Sequence, residues 1–162
     1  MYVGSMGDML SKRWPADHYL KLAKMIETRG LKCIWVGSES EKEINAHLSL
    51  RIGIDSTRVF NLRELYELGQ SALFAVSCDS SPMHLFAASG IPVYAFFGPT
   101  NWRRSYPLGQ KDRVLTKKVE CSPCFRGICP ESKGHKCLSG ISAETVFQKI
   151  NKEFHFKKEH QV

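Results

Sequence analysis

Short apolar runs alternate with amphipathic stretches along most of this chain. Residues 73–76 and 92–97 are continuous apolar runs of strand length, and 31–36, apolar but for Lys32, is a third; all three read as strands. Tyr2-Val3 reads as the end of an earlier strand, Arg58-Val59-Phe60 as a short third one and residues 113–116 as a last one. Between them lie helical patterns. Tyr19, Leu20, Leu22, Ala23 and Ile26 give one apolar face to a helix that runs from Pro15 to about Arg29 and stops at Gly30. A glutamate-rich helix is expected over 39–50, and a third over 62–70, capped by Asn61 and buried through Leu62, Leu65, Tyr66 and Leu68. Ser142 caps a closing helix that reaches about Phe154. Five or six short strands alternating with helices predict an α/β domain: a mostly parallel, Rossmann-like sheet in three layers.

The polar cluster with the clearest position is Asp79-Ser80-Ser81-Pro82-Met83-His84. It follows a strand, and Pro82 suits a first helical turn because it has no N–H to lose there. The next helix should end at Gly90. An acid and two hydroxyls thus sit at a strand's carboxyl end against a helix N-terminus, where open α/β sheets bind ligands and where free N–H groups favour an anion. Capping of the helix by Asp79 and Ser80 is the other reading of the same residues.

Length and charge narrow the class. The 162 residues suffice for one domain with a proper core. We place that domain at 1–156, including a cysteine-rich loop at 120–138, followed by a polar, frayed tail at 157–162. No apolar run approaches a membrane span and the N-terminus shows no signal-peptide pattern, so a cytoplasmic location is expected. The net charge of +7 suits phosphate-rich partners. The basic residues are scattered without interleaved aromatics, which argues against nucleic acid as the partner.

Two further stretches carry candidate chemistry. Gly4-Ser5 with Gly7 and Ser11 forms a small-residue loop after a strand, next to Lys12; it lacks the Walker and GxGxxG spacings. Phosphate contact and an ordinary surface loop both remain open for it. Glu39, Glu41 and Glu43 read mainly as a solvated helical face. Cys121, Cys124, Cys129 and Cys137, with His135 among them, are expected to form a compact loop of reduced thiols; a structural zinc is the weaker alternative. Cys33 and Cys78 read as small buried hydrophobes.

Taken in order, these landmarks resemble the C-terminal half of the ADP-heptose:lipopolysaccharide heptosyltransferases, glycosyltransferase family 9. Gly4-Ser5 with Lys12-Arg13-Trp14-Pro15, Val36-Gly37, the Asp79 to Leu85 motif with Ala87-Ala88, and Ile91-Pro92 through Phe97-Gly98-Pro99-Thr100 carry the resemblance. The loop from Cys121 to Cys124 with Gly134-His135-Lys136-Cys137 also looks like one found in many members. Ser81 stands where the family usually has Gly, and Val3 where Pro is common.

The resemblance implies a GT-B enzyme whose C-terminal domain binds the nucleotide-sugar donor. Ser5 and Lys12 would meet the phosphates, Asp79 the heptose, and Ser80 and Ser81 the diphosphate with His84 beside it. Phe60 would lie against the adenine, and Glu41 or Glu43 would match the ribose-binding acid. No cofactor is implied beyond ADP-heptose as donor. The acceptor, the lipopolysaccharide inner core, and the catalytic base would belong to a missing N-terminal domain or a partner chain. No residue of this chain is therefore expected to be catalytic, and donor binding without transfer is the expected behaviour, with peripheral attachment to an inner membrane. A non-catalytic nucleotide-binding module and a zinc-stabilised interaction protein are the rival readings.

Overall fold

The structure is a computed structural model that describes residues 9–156. Strand β4, Val93–Phe97, sets the layout because every residue in it is buried. Its side chains alternate between two clusters. Tyr94 and Phe96 pack with Trp14, Tyr19, Ile26 and Trp35, and Val93, Ala95 and Phe97 with Leu65, Met83 and Phe86. A strand buried on both faces needs helices on both sides. Helices α1 (Ala16–Glu27) and α7 (Ala143–Phe154) cover one face, while α3 (Leu62–Ser71) and α4 (Ser81–Ala88) cover the other.

Every strand pair among the described residues is parallel. Strand β1 (Ile34–Gly37) pairs with β2 (Ile54–Thr57), and β4 lies between β3 (Ala75–Cys78) and β5 (Val114–Thr116). Helix α2 (Lys42–Ser49) links β1 to β2 after a 3-10 turn at Glu39–Glu41. Short helices α5 (Trp102–Ser105) and α6 (Lys136–Ser139) complete the set.

The local signals act as expected at several ends. Asn61 accepts from the Arg63 and Glu64 amides while Glu64 reaches back to the Asn61 amide, a reciprocal cap. The Ser142 hydroxyl accepts from the Thr145 amide, and Pro82 lies in the first turn of α4. The third strand differs: it lies at Ile54–Thr57, not at Arg58-Val59-Phe60. Arg58 has φ 61°, left-handed backbone that ends a strand. Ile54 and Asp55 are exposed, so this strand has no apolar run to mark it.

Trp14 anchors the entrance to α1. It is 1% exposed, stacks on Phe96 at 4.4 Å, and donates its indole N–H to the Ile141 carbonyl at 2.9 Å. Burying a ring the size of Phe96 contributes roughly 1.5–3 kcal/mol, so the backbone beside Lys12 and Arg13 is firmly fixed. At the opposite rim, Tyr94 donates to Glu153 at 2.7 Å and Arg113 donates through Nε at 2.9 Å. The Arg113 bond holds the Glu153 carboxyl below the usual range, which ties α7 to the sheet.

The expected strand end at Tyr2-Val3, the Ser5 loop and the tail at 157–162 lie outside the described residues.

Candidate functional site

Asp79 immediately follows β3 and is 7% exposed. A carboxylate in such a place needs partners, and residues from three separate segments supply them. Lys12 Nζ, from the turn before α1, is 3.1 Å from Oδ2. The Thr100 hydroxyl, from the turn after β4, donates to Oδ2 at 2.7 Å. Ser105, at the end of α5, donates to Oδ1 at 3.4 Å. Asp79 and Thr100 follow the carboxyl ends of adjacent parallel strands, where this architecture collects ligands.

Ser80 is the N-cap residue of α4 by position, yet its side chain makes no capping bond. Its hydroxyl donates to the Cys78 carbonyl at 3.2 Å instead. The Ser80 side chain therefore does not close the helix start, where Ser81 and, one turn on, His84 are exposed. The first N–H groups of α4 carry the positive end of the helix dipole.

Arg13 turns away from its neighbour Lys12. Its Nη2 is 3.0 Å from Oε1 of Glu41 and also donates to the Ser40 carbonyl at 3.0 Å. Glu41 is 0% exposed; the expected solvated face does not include it. Its Oε2 accepts from the Ser38 amide at 2.9 Å and the Ser38 hydroxyl at 2.7 Å, and Oε1 accepts from Ser40 at 2.5 Å. Gly37 makes this packing feasible, since a Cβ there would lie 2.6 Å from the Glu41 Cβ. Glu43 is exposed and faces an open hollow with Glu39, Ser40, Lys42 and Ala46.

The structure therefore joins Lys12, Asp79 and Ser80 in one place and puts Ser81 and His84 on the adjoining helix. Phe60 stands apart, half-buried against the cluster that includes Val36 and Leu65. Ser5 lies outside the described residues. Sequence reasoning missed Thr100 and Ser105 as partners of Asp79. The Gly98-Pro99-Thr100 turn at a strand end was a usable signal; Ser105 offered none.

Comparison with known proteins now bears on the arrangement. The sequence model of glycosyltransferase family 9 (heptosyltransferase) matches residues 6–135. The chain belongs to glycosyltransferase family 9. Lipooligosaccharide heptosyltransferase 2 of Campylobacter jejuni is 28% identical over 149 residues, covering 88% of this chain and 47% of the relative. The structure of Escherichia coli ADP-heptose lps heptosyltransferase II superposes with TM-score 0.75 at 22% identity, over 93% of this chain and 44% of that one. E. coli heptosyltransferase WaaC with ADP-2-deoxy-2-fluoro heptose gives TM-score 0.69 at 22% identity, over 94% and 42%. This family 9 chain thus spans a little under half the length of these relatives, and its α/β architecture is that of part of their fold.

The cysteines separate into two kinds. Burial pushes the Cys33 thiol up to about 11 and the Cys78 thiol up to about 12. Cys121, Cys124, Cys129 and Cys137 line one small cavity of ≈ 20 Å³ with Ser11, Pro99 and His135, and all are free thiols. Among the described residues, no three His, Cys, Asp or Glu side chains are placed to hold a metal ion. Exposed Cys121 and half-buried Cys124 and Cys129 should be alkylated within minutes by iodoacetamide at pH 8. Cys33 and Cys78 should react only on unfolding. Peptide mass spectrometry of the labelled protein checks this; early labelling of Cys78 would contradict its burial.

Among the described residues no helix is long and apolar enough to cross a membrane.

Proposed function

We propose that this chain is the donor-binding, C-terminal domain of a lipopolysaccharide heptosyltransferase and that it holds an ADP-sugar of the ADP-heptose type. The observation that carries the reading is the Asp79 carboxylate, buried beneath the start of α4 and held by Lys12 and Thr100. A carboxylate recognises sugar hydroxyls by accepting their hydrogen bonds, while a lysine and a helix N-terminus recognise phosphate. All three lie within one small region here. A relative of the same family is described with a fluorinated ADP-heptose, which supports the choice of ligand class.

In this reading Lys12 moves from Asp79 to the diphosphate, and the first N–H groups of α4, beside Ser80 and Ser81, share that charge. His84 lies one turn along the same helix and flanks the phosphates. Asp79, released from Lys12, accepts from the sugar, with Thr100 and Ser105 fixing its orientation. Phe60 lies against the adenine. Glu43 takes the ribose, because both oxygens of Glu41 are already engaged. During transfer, the same grip stabilises charge as it develops on the departing diphosphate. The acceptor, an inner-core lipopolysaccharide hydroxyl, and the base that deprotonates it belong to a second domain or chain, so this chain alone binds without transferring. The net charge of +7 favours approach to an anionic membrane surface.

Titration calorimetry of the purified chain with ADP tests the reading. Binding is expected, and Lys12→Ala should weaken it by about tenfold, the scale of one charge-assisted hydrogen bond. No heat of binding from wild-type protein at millimolar ADP would sink the proposal.

A further inference from the structure

The cysteine loop has no assigned part in the site, yet it is bonded to two of the three segments that reach Asp79. On one side is Ser11, adjacent to Lys12 and 3% exposed. Its amide donates to the Gly127 carbonyl at 2.9 Å, its hydroxyl donates to the Arg126 carbonyl, and its own carbonyl accepts from His135 Nε2 at 2.6 Å. On the other side is the Gly98-Pro99-Thr100 turn. The Ser122 hydroxyl donates to the Gly98 carbonyl, and the Phe125 amide donates to the Pro99 carbonyl at 2.8 Å. A Cβ at Gly98 would meet the Leu138 Cγ at 2.7 Å and the Cys137 Sγ at 2.9 Å, so the turn rests directly on this region.

His135 is the side chain from the loop that grips the Lys12 segment. It sits in the left-handed region, φ 51°, right after Gly134 with φ 59°. Strained backbone of this kind persists where surrounding contacts hold it, and it often marks a functional position. A carbonyl only accepts, so the Nε2 facing Ser11 carries the proton.

We propose that His135 is a positioning residue for donor binding. Its bond to the Ser11 carbonyl fixes the turn that carries Lys12, and so sets where the ammonium meets the ligand phosphates. The inference rests on the donor reading above and adds a role for the loop that the reading did not use.

The test compares two variants of the full chain. Asparagine tolerates left-handed backbone but is too short to put its amide where Nε2 lies, so H135N keeps the turn and loses the bond. Glutamine reaches that position, so H135Q restores a donor. By calorimetry, H135N should weaken ADP binding about fivefold, the scale of one lost hydrogen bond, and H135Q should return it to within about twofold of wild type. In a Lys12→Ala background, H135N should have almost no further effect, because two groups acting through one contact are not additive. Amide exchange at Ser11 should quicken in H135N and stay slow in H135Q. Wild-type affinity in H135N, full additivity with Lys12→Ala, or unchanged Ser11 exchange would each overturn the inference. Wild-type protein that does not bind ADP would overturn the donor reading and this inference with it, a result distinguishable from the others by the wild-type titration alone.

Discussion

Asp79→Ala is expected to erase the preference for an ADP-sugar over ADP. In the structure the carboxylate holds Lys12 at 3.1 Å; in the proposed complex it accepts bonds from sugar hydroxyls. Bonds to a charged group are worth about 1.5–3 kcal/mol each, so ADP-heptose should lose about 30-fold in affinity. ADP makes no use of those bonds. It also gains from a lysine no longer claimed by a carboxylate, so its affinity should hold steady or rise severalfold. Parallel titrations of both ligands against wild type and variant decide the matter. An ADP-heptose affinity that survives intact, or an ADP affinity that collapses with it, would show that Asp79 serves structure and not the sugar.

The second large effect concerns stability. Arg13→Ala leaves Glu41, which is 0% exposed, without its cation. Removing one member of a buried ion pair costs about 3–5 kcal/mol, because the remaining charge stays desolvated. Ser38 and Ser40 still donate to Glu41, which places the expected loss near the lower end, about 3 kcal/mol. Urea denaturation should show a lower midpoint with an unchanged slope. A loss under about 1 kcal/mol would mean that water reaches Glu41 once the guanidinium is gone. Arg13→Ala, Glu41→Gln removes the stranded charge as well, and should recover much of the stability.

The sequence made the layered architecture legible for a definite reason. Runs such as residues 92–97 are buried on both faces, and a strand of that kind is marked by composition alone. The apolar face of α1 and the Asn61 cap are equally local signals. The failures share a cause as well. Strand β2 is half exposed and, among the described residues, pairs only with β1, so no pattern marked it, and Val59-Phe60 drew the assignment a few residues late. Glu41 sits among acidic neighbours that are exposed, and its cation, Arg13, comes from a different segment.

The candidate site divides along the same line. Asp79 and Ser80 were legible from their place at a strand end, while Lys12 stood out only beside its Gly/Ser loop and through the family resemblance. The hold of His135 and Arg126 on Ser11 spans well over a hundred residues of chain and depends on tertiary packing. Ser80 sits at the N-cap, but its side chain makes no capping bond.

The ion pair between Lys12 and Asp79 has a consequence for which anions the site retains. In the structure the ammonium is matched by one full negative charge. A monoanion arriving there exchanges like for like and gains nothing over the carboxylate already in place. A diphosphate brings more than one charge and can hold the lysine against that competitor. On the proposed donor reading, the pair would act as a threshold on ligand charge, releasing the lysine to a polyanion but not to chloride or a small carboxylate.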